Sequence, residues 1–271
     1  MHDVLKRNNV HVSGRGEQAI VFAHGFGTDQ SAWRWVAPAF EGRFTVVRFD
    51  HLGCGGSDLS AWREARHGSL DGYAADLLEI LDALELPRVH YVGHSAGALI
   101  GLLASIAQPG RFARMALVGA SPRFVDDPAA GYRGGFQAAE IDGILDLMER
   151  DQIAWAGALA PLALGADAPP ALADDFGSGL RQIDPLVARR FGGLVFRADL
   201  REKLPLVTVP TLLLHCRRDS LVPPEVAGYL HRQLRGSVLR WIEAHGHCPH
   251  MSHPQQTTAL LDEYLSLGDA G

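Results

Sequence analysis

Nine residues near the carboxyl end of the chain, HGHCPHMSH at positions 245–253, include four histidines and one cysteine. Imidazole is the commonest metal ligand among side chains, and its uncharged form is also the most frequent general base in catalysis. HxH and HxxH spacings both occur in metal sites, so this segment alone leaves both kinds of chemistry open. The remaining sequence has to decide between them.

A second segment that could do chemistry is GHSAG, residues 93–97, between an apolar β-branched run and a helical pattern. A GxSxG segment in that position is typical of a nucleophile elbow, where glycines let strand and helix approach and the serine stands exposed above the sheet. The pattern therefore predicts Ser95 as a nucleophile. In the alternative interpretation, the glycines only form a tight turn.

A serine hydroxyl is a weak nucleophile at neutral pH, so it needs a base and an acid that orients the base. After such an elbow the acid and then the histidine follow later strands. Asp219 follows the strand pattern at 211–214, and His247 follows the pattern at 238–242. The sequence thus predicts a triad of Ser95, Asp219 and His247. Helix capping or pairing with a nearby arginine is the alternative role for Asp219.

A histidine that serves as this base has no nitrogen left for a metal ion, so we expect neither a metal nor a cofactor. His245, His250 and His253 are then expected to bond backbone groups or face solvent, and Cys248 to be a small buried residue. Because imidazole ordinarily loses its proton at about pH 6.5, activity should rise between about pH 6 and 7.

Acyl transfer also requires N–H donors aimed at the negative oxygen that forms during the reaction. The strand pattern at 19–23 runs directly into HGFG, residues 24–27, whose glycines free the backbone. We expect the backbone amides of Phe26 and Ala96 to form this oxyanion hole, with His24 supporting the loop through hydrogen bonds.

Composition disfavours several classes of function. A net charge of −6 argues against a nucleic-acid partner, which needs a clustered basic surface. No apolar run reaches the roughly 18 residues that span a bilayer, and the charged start MHDVLKRNN does not resemble an export signal. The three cysteines form no CxxC pair. We therefore expect a cytoplasmic protein without a nucleic-acid or membrane partner.

The elements that must position these residues alternate between short apolar runs and helical patterns, which is typical of an α/β fold with a parallel sheet. Val10 and Val12 before the turn SGRG predict an N-terminal hairpin. Between residues 123 and 199 the strand patterns stop, which predicts a helical insertion in a core formed by residues 1–122 and 200–271.

The insertion is rich in aromatic residues. Phe136, Trp155 and Phe196 are the best candidates for the wall of a substrate pocket, with Phe26 at its floor. Packing among small helices is the alternative role for each of them.

Four segments, FAHGFGTDQSAW, FDHLGCGGSD, YVGHSAGALIGLLAS and GHCPHMSHP, resemble the α/β-hydrolase superfamily and, more narrowly, the bacterial RsbQ proteins, relatives of plant karrikin and strigolactone receptors. The resemblance covers nearly the whole chain. It implies an eight-stranded, mostly parallel sheet with flanking helices, a four-helix lid between strands six and seven, and a small hydrophobic cavity. It also implies the triad named above. Ala96 and His24 depart from the usual pattern, where valine and proline are common.

The resemblance implies a carboxylester- or lactone-type serine hydrolase for a small hydrophobic substrate. RsbQ-like proteins act upstream of the general stress-response sigma factor with a PAS-containing protein phosphatase, and the plant branch senses and slowly hydrolyses butenolides. Two alternatives stay open. One is a slow-turnover receptor that binds a phosphatase partner, and the other is a metabolic enzyme such as a carbon–carbon bond hydrolase or a cofactor-free haloperoxidase.

Overall fold

A mostly parallel sheet lies at the centre of the fold. The computed structural model describes residues 3–165 and 168–266, apart from the side chain of Gln182. Within them the strands are β1 (His11–Ser13), β2 (Gln18–Ala23), β3 (Phe44–Phe49), β4 (Val89–His94), β5 (Phe112–Val118), β6 (Thr211–Arg218) and β7 (Val238–His245).

Helices flank the sheet and follow most of its strands. In the described residues they are α1 (Val4–Arg7), α2 (Glu64–His67), α3 (Leu70–Ala83), α4 (Ala96–Ala107), α5 (Ala138–Arg150), α6 (Gln152–Leu164), α7 (Pro170–Gln182), α8 (Pro185–Phe196), α9 (Pro224–Gln233), α10 (Pro249–Ser252) and α11 (Pro254–Ser266). None of these described helices is both long enough and apolar enough to cross a membrane.

The strand order is β1-β3-β2-β4-β5-β6-β7, and every neighbouring pair except β1 with β3 is parallel. Side chains alternate between the two faces of the sheet. In β2, Val21 packs into the apolar cluster that contains Leu77 of α3 and Ile100 of α4, whereas Phe22 packs into the cluster that contains Leu261 of α11. Both faces are therefore covered, as a parallel sheet requires.

The expectation of eight strands is wrong, because the described residues contain seven. The amino-terminal segment forms the short helix α1, whose first turn is capped by Asp3. Arg7 at its end bonds the buried carboxylate of Asp76 on α3 at 2.9 Å. This segment is thus held against a helix and adds no strand to the edge of the sheet.

The predicted N-terminal hairpin is also wrong, since β1 pairs with β3 and not with β2. Val12 lies opposite Val47. The turn after β1 crosses the start of β3 so closely that a Cβ atom on Gly16 would lie 1.9 Å from the carbonyl oxygen of Arg43. The glycine lets the chain cross β3 and place β2 on its far side.

Helices α5 to α8 are inserted between β5 and β6, and we call these four helices the lid. Both connections of the lid to the sheet are tied to each other. The N–H of Leu200 donates to the carbonyl of Pro122 at 2.8 Å. The carboxylate of Asp199 accepts from Arg123 at 2.5 Å and from Arg201 at 2.7 Å. Chiefly through the hydrogen bond from Arg201, the pKa of Asp199 is lowered to about 2.

Removing the charge of Asp199 should loosen the lid. In Asp199→Asn the residue keeps its size but loses both ion pairs, so we expect the free energy of unfolding to fall by about 1 kcal/mol. Amide hydrogen exchange should accelerate in the lid and not in the sheet. Asp142→Asn is the matched control, because Asp142 forms a single, more exposed pair with Arg197 inside the lid. Equal effects from both variants would contradict this role of the connection.

Candidate active site

The turn between β4 and α4 holds Ser95 in an unusual backbone conformation, with φ at 50° and ψ at −111°. A non-glycine residue in such a region costs roughly 1–3 kcal/mol and persists only when its surroundings impose it. Here the N–H of Ser95 donates to the carbonyl of Val118 at 2.9 Å, and the carbonyl of Ser95 accepts from the N–H of Leu99 at 3.2 Å. These bonds fix the serine at the amino end of α4.

The glycines on either side of Ser95 are required by close backbone packing. A Cβ atom on Gly93 would lie 2.6 Å from the carbonyl oxygen of Gly97, and one on Gly97 would lie 2.6 Å from that of His24. Strand β4, helix α4 and the loop after β2 therefore touch through their main chains. Larger residues would push these three elements apart.

Asp219 and His247 are brought together by the loops after β6 and β7. The Nδ1–H group of His247 donates to Oδ2 of Asp219 at 2.8 Å. The other carboxylate oxygen accepts the N–H groups of Leu221 and Val222 at 2.8 and 3.0 Å. The Nε2 atom of His247 is buried and has no hydrogen-bond partner in the described part of the chain. An uncharged His247 in this tautomer has an unused lone pair on Nε2.

Ser95 and His247 both lie at the carboxyl end of β5. The N–H of Ser95 binds the last residue of that strand, Val118. A Cβ atom on the next residue, Gly119, would lie 3.0 Å from Cε1 of His247. In addition, the Nε2–H group of His94 donates to the carbonyl of His247 at 2.9 Å. The three residues predicted as a triad therefore occupy adjoining loops, and their catalytic roles belong to the proposal below.

The lid contributes directly to the position of His247. The carbonyl of Ala163, near the end of α6, accepts the N–H groups of His247 at 2.6 Å and Cys248 at 2.9 Å. Main chain also packs on main chain here, since a Cβ atom on Gly246 would lie 2.4 Å from the carbonyl carbon of Leu164. The end of α6 and the loop of His247 thus form one backbone junction.

The loop that carries Phe26, one of the two predicted oxyanion donors, lies against Ser95. A Cβ atom on Gly25 would lie 3.2 Å from Cβ of Ser95. His24 supports this loop as expected. Its Nδ1–H group donates to the carbonyl of Gly25 at 2.8 Å, and its Nε2 accepts the N–H of His51 at 2.9 Å. Ala96 is the first residue of α4, where an amide N–H has no acceptor within the helix.

Aromatic rings of the lid surround Phe26. The centroid of its ring lies 5.9 Å from that of Trp155 and 5.8 Å from those of Phe191 and Phe196. Trp155 and Phe196, both named from the sequence, are therefore in contact with Phe26. Phe136 is half-buried on the connection before α5, where its carbonyl accepts the N–H of Asp126.

Phe191 is a member of this aromatic group that the sequence reasoning did not single out. It lies on the buried face of α8, together with Val187 and Val195. These residues are four positions apart, and that spacing is typical of the buried face of a helix. The spacing could therefore have predicted that Phe191 is buried.

Within the segment 245–253, His250 differs most clearly from what the sequence predicts. We expected it to bond the backbone or face solvent, but it is fully buried. Its ring centroid lies 4.4 Å from those of Trp33 and His94. Cys248 is buried and free. In the described residues no group of three His, Cys, Asp or Glu side chains is placed to hold a metal ion.

A family model identifies this architecture. The model of the α/β-hydrolase family matches residues 20–260. The chain belongs to this family. A strigolactone esterase of Pisum sativum is 41% identical over 97% of this chain and 98% of its own length. A karrikin insensitive 2 receptor of Petunia hybrida is 37% identical over 97% of each chain.

Among solved structures, a hydrolase of Oleispira antarctica is 38% identical, with a TM-score of 0.94 over 97% of this chain and 96% of that one. The α/β-hydrolase part of the sequence resemblance, with its likeness to strigolactone and karrikin proteins, is therefore confirmed. The narrower likeness to RsbQ stays a prediction.

Buried histidines should make this hydrolase acid-sensitive. Burial lowers the pKa of five of them in the folded state, to about 4 for His215 and about 3 for His250, and below the ordinary value for His24, His51 and His94. Unfolded imidazole binds a proton at about pH 6.5, so below that pH the unfolded state binds more protons. The contribution of these uncharged histidines to the stability of the folded state is therefore complete above about pH 6.5 and is lost as the pH falls towards 4.

Urea unfolding between pH 8 and 5 would measure this loss. His215→Leu removes one of the imidazoles that binds a proton when the protein unfolds at acidic pH. The ring nitrogens of His215 have no hydrogen-bond partner in the described residues. The slope of unfolding free energy against pH should then decrease by about 1.4 kcal/mol per pH unit near pH 5. An unchanged slope would show that His215 is not an uncharged buried group.

Proposed function

We propose that the protein is a serine hydrolase of small hydrophobic esters or lactones, with Ser95, Asp219 and His247 as its catalytic triad. The observation that carries this proposal is the state of His247, which is bonded to the buried Asp219 carboxylate through Nδ1 while Nε2 stays unpaired within the described residues. Ser95, in its strained turn on the adjoining loop, is the residue whose hydroxyl we assign as the proton donor to that lone pair. Relatives named as esterases and hydrolases add support.

In this mechanism Nε2 of His247 takes the proton of the Ser95 hydroxyl as Oγ attacks the substrate carbonyl. Asp219 orients the imidazole and stabilises its positive charge. The backbone N–H groups of Phe26 and Ala96 bind the negative oxygen of the tetrahedral intermediate. The imidazolium then gives its proton to the leaving alkoxide, and an acyl-enzyme remains. Water, deprotonated by the same Nε2, releases the acid and restores Ser95.

The aromatic group around Phe26 supports a hydrophobic substrate. Trp155, Phe191 and Phe196 are all buried and surround the ring of Phe26, which belongs to the oxyanion loop. Apolar walls with few polar groups favour uncharged acyl or lactone rings over charged ones. Phe136 is proposed as an outer part of the same pocket. Neither a metal nor a cofactor takes part in the mechanism.

A receptor with slow turnover is the second candidate, because one relative at 37% identity is named as a karrikin receptor. In that case the acyl-enzyme would persist and the signal would pass to a protein partner such as a PAS-containing phosphatase. We propose a cytoplasmic location for either function, supported by three cysteines that are all buried and free.

The first test is hydrolysis of p-nitrophenyl esters from acetyl to octanoyl and of a butenolide ester. Ser95→Ala should lower kcat/KM by at least about 10⁴-fold, since it removes the attacking oxygen. Ser105→Ala is the matched control, because Ser105 is buried on α4 and, among the residues that the structure describes, its hydroxyl bonds only the carbonyl of Leu102. A chelator should have no effect. Full activity in Ser95→Ala would contradict the proposed triad.

Rapid-mixing kinetics should separate the enzyme from the receptor. A metabolic esterase is expected to turn over steadily at about 1 s⁻¹ or faster after the first cycle. A slow receptor instead releases one equivalent of p-nitrophenol in a burst, and mass spectrometry then finds the acyl group on Ser95. A burst with a persistent adduct would favour the second candidate.

A further inference from the structure

The residue before the predicted nucleophile, His94, lies within a row of buried rings. We call the rings of His250, His94 and His247 the imidazole row, and Trp33 lies at its far end. Successive centroids are 4.4 Å apart from Trp33 to His250, 4.4 Å from His250 to His94, and 4.9 Å from His94 to His247. The row thus leads from the interior of the protein to the residue proposed as the base.

His94 directly joins two loops that the proposed reaction must hold together. It is adjacent in sequence to Ser95, and its Nε2–H group donates to the carbonyl of His247 at 2.9 Å. Because a carbonyl only accepts, this bond fixes the proton on Nε2 and the lone pair on Nδ1. No room remains on the other side, since a Cβ atom on Gly25 would lie 2.4 Å from that Nδ1 atom.

The electrostatic surroundings keep His94 and His250 uncharged. Burial lowers the pKa of His94 well below its ordinary value, and the neighbouring His250, His247 and His24 lower it further. The pKa of His250 is lowered to about 3 by burial and then by His247, His24 and Arg34. The neighbouring side chains that act on these two rings are imidazoles and the Arg34 guanidinium, so none of those side chains favours a positive charge on His94 or His250. A proton that reaches His247 during the reaction therefore has no reason to move on to His94.

We propose that His94 is a positioning residue that sets the distance between Ser95 and His247, and that His250 keeps His94 in place by ring packing. This inference rests on the proposed function, in which His247 is the base. The hydrogen bond transmits the position of the elbow to the backbone of the base, while Asp219 orients the imidazole ring from its other side. His94 and His250 supply geometry to the site and transfer no proton.

The test compares two variants of His94. His94→Leu removes the donor, and His94→Gln retains an N–H group that can reach the same carbonyl. We expect kcat for a p-nitrophenyl ester to fall about 10- to 100-fold in His94→Leu, with KM within about threefold, because misplacement of a catalytic group slows chemistry more than binding. His94→Gln should restore most of kcat. His90→Gln, on the same strand but at its opposite end, is the matched control and should keep wild-type kinetics.

The pH profile separates positioning from proton transfer. The deficit of His94→Leu should be the same at every pH from about 6 to 9, since geometry does not titrate. A loss of kcat confined to the acidic or the alkaline side of the pH profile would overturn the proposal, because it would show that His94 takes part in proton transfer. Full activity in a folded His94→Leu protein would also overturn it. If Ser95→Ala were fully active as well, the proposed function itself would fail, so the two failures are distinguishable.

His250 provides a second variant if His94→Leu does not fold. His250→Phe keeps a flat ring between Trp33 and His94, and kcat should stay within about threefold of the wild type. His250→Ala removes the ring and should lower kcat about tenfold, again without a change in the pH profile. Equal losses in the two variants would show that the nitrogens of His250 matter, which would contradict a packing role.

Discussion

Main-chain contact between β4, α4 and the loop after β2 is the constraint on which the site depends. The glycines at 93 and 97 leave no space for a side chain between these three elements. The strained conformation of Ser95 follows from that contact, because a relaxed backbone would separate the strand from the helix. The loop of Phe26 and the amino end of α4 are held against the serine by the same contact. Any loosening of this contact would therefore move Ser95, the loop of Phe26 and the start of α4 together.

The local parts of this arrangement could be predicted from the sequence. A glycine-flanked serine after an apolar run specifies a strand-to-helix turn, and loops after parallel strands meet at one edge of the sheet, so the positions of Asp219 and His247 followed from their order. The position of β1 next to β3 could not be predicted, since a period of two residues shows which face is buried but not which neighbour a strand takes. The expectation of an eighth strand came from the family resemblance, and it is wrong because the amino-terminal segment forms a helix that is bonded to Asp76.

The burial of His250 and the contact between Phe191 and Phe26 were not predicted from the sequence, because both depend on long-range packing. His250 lies between two prolines in a polar segment, and its burial depends on Trp33, which is distant in the chain. Phe191 reaches Phe26 only because the inserted helices fold back over the sheet. The orientation of each lid helix determines which of its aromatic residues contact Phe26, and residue type alone does not reveal that orientation.

The junction between Ala163 and the loop of His247 has a consequence for how this fold can be recombined. The carbonyl of Ala163 receives two backbone N–H groups from the loop of His247, and Gly165 and Gly246 let the two backbone segments touch there. Exchanging the inserted helices for those of a relative is one way to recombine such a fold. Here the last turn of α6 would have to remain with the sheet, because its backbone is bonded to the loop of His247. The natural boundary for a chimera therefore lies inside α6 and not at the connections where the insertion begins and ends.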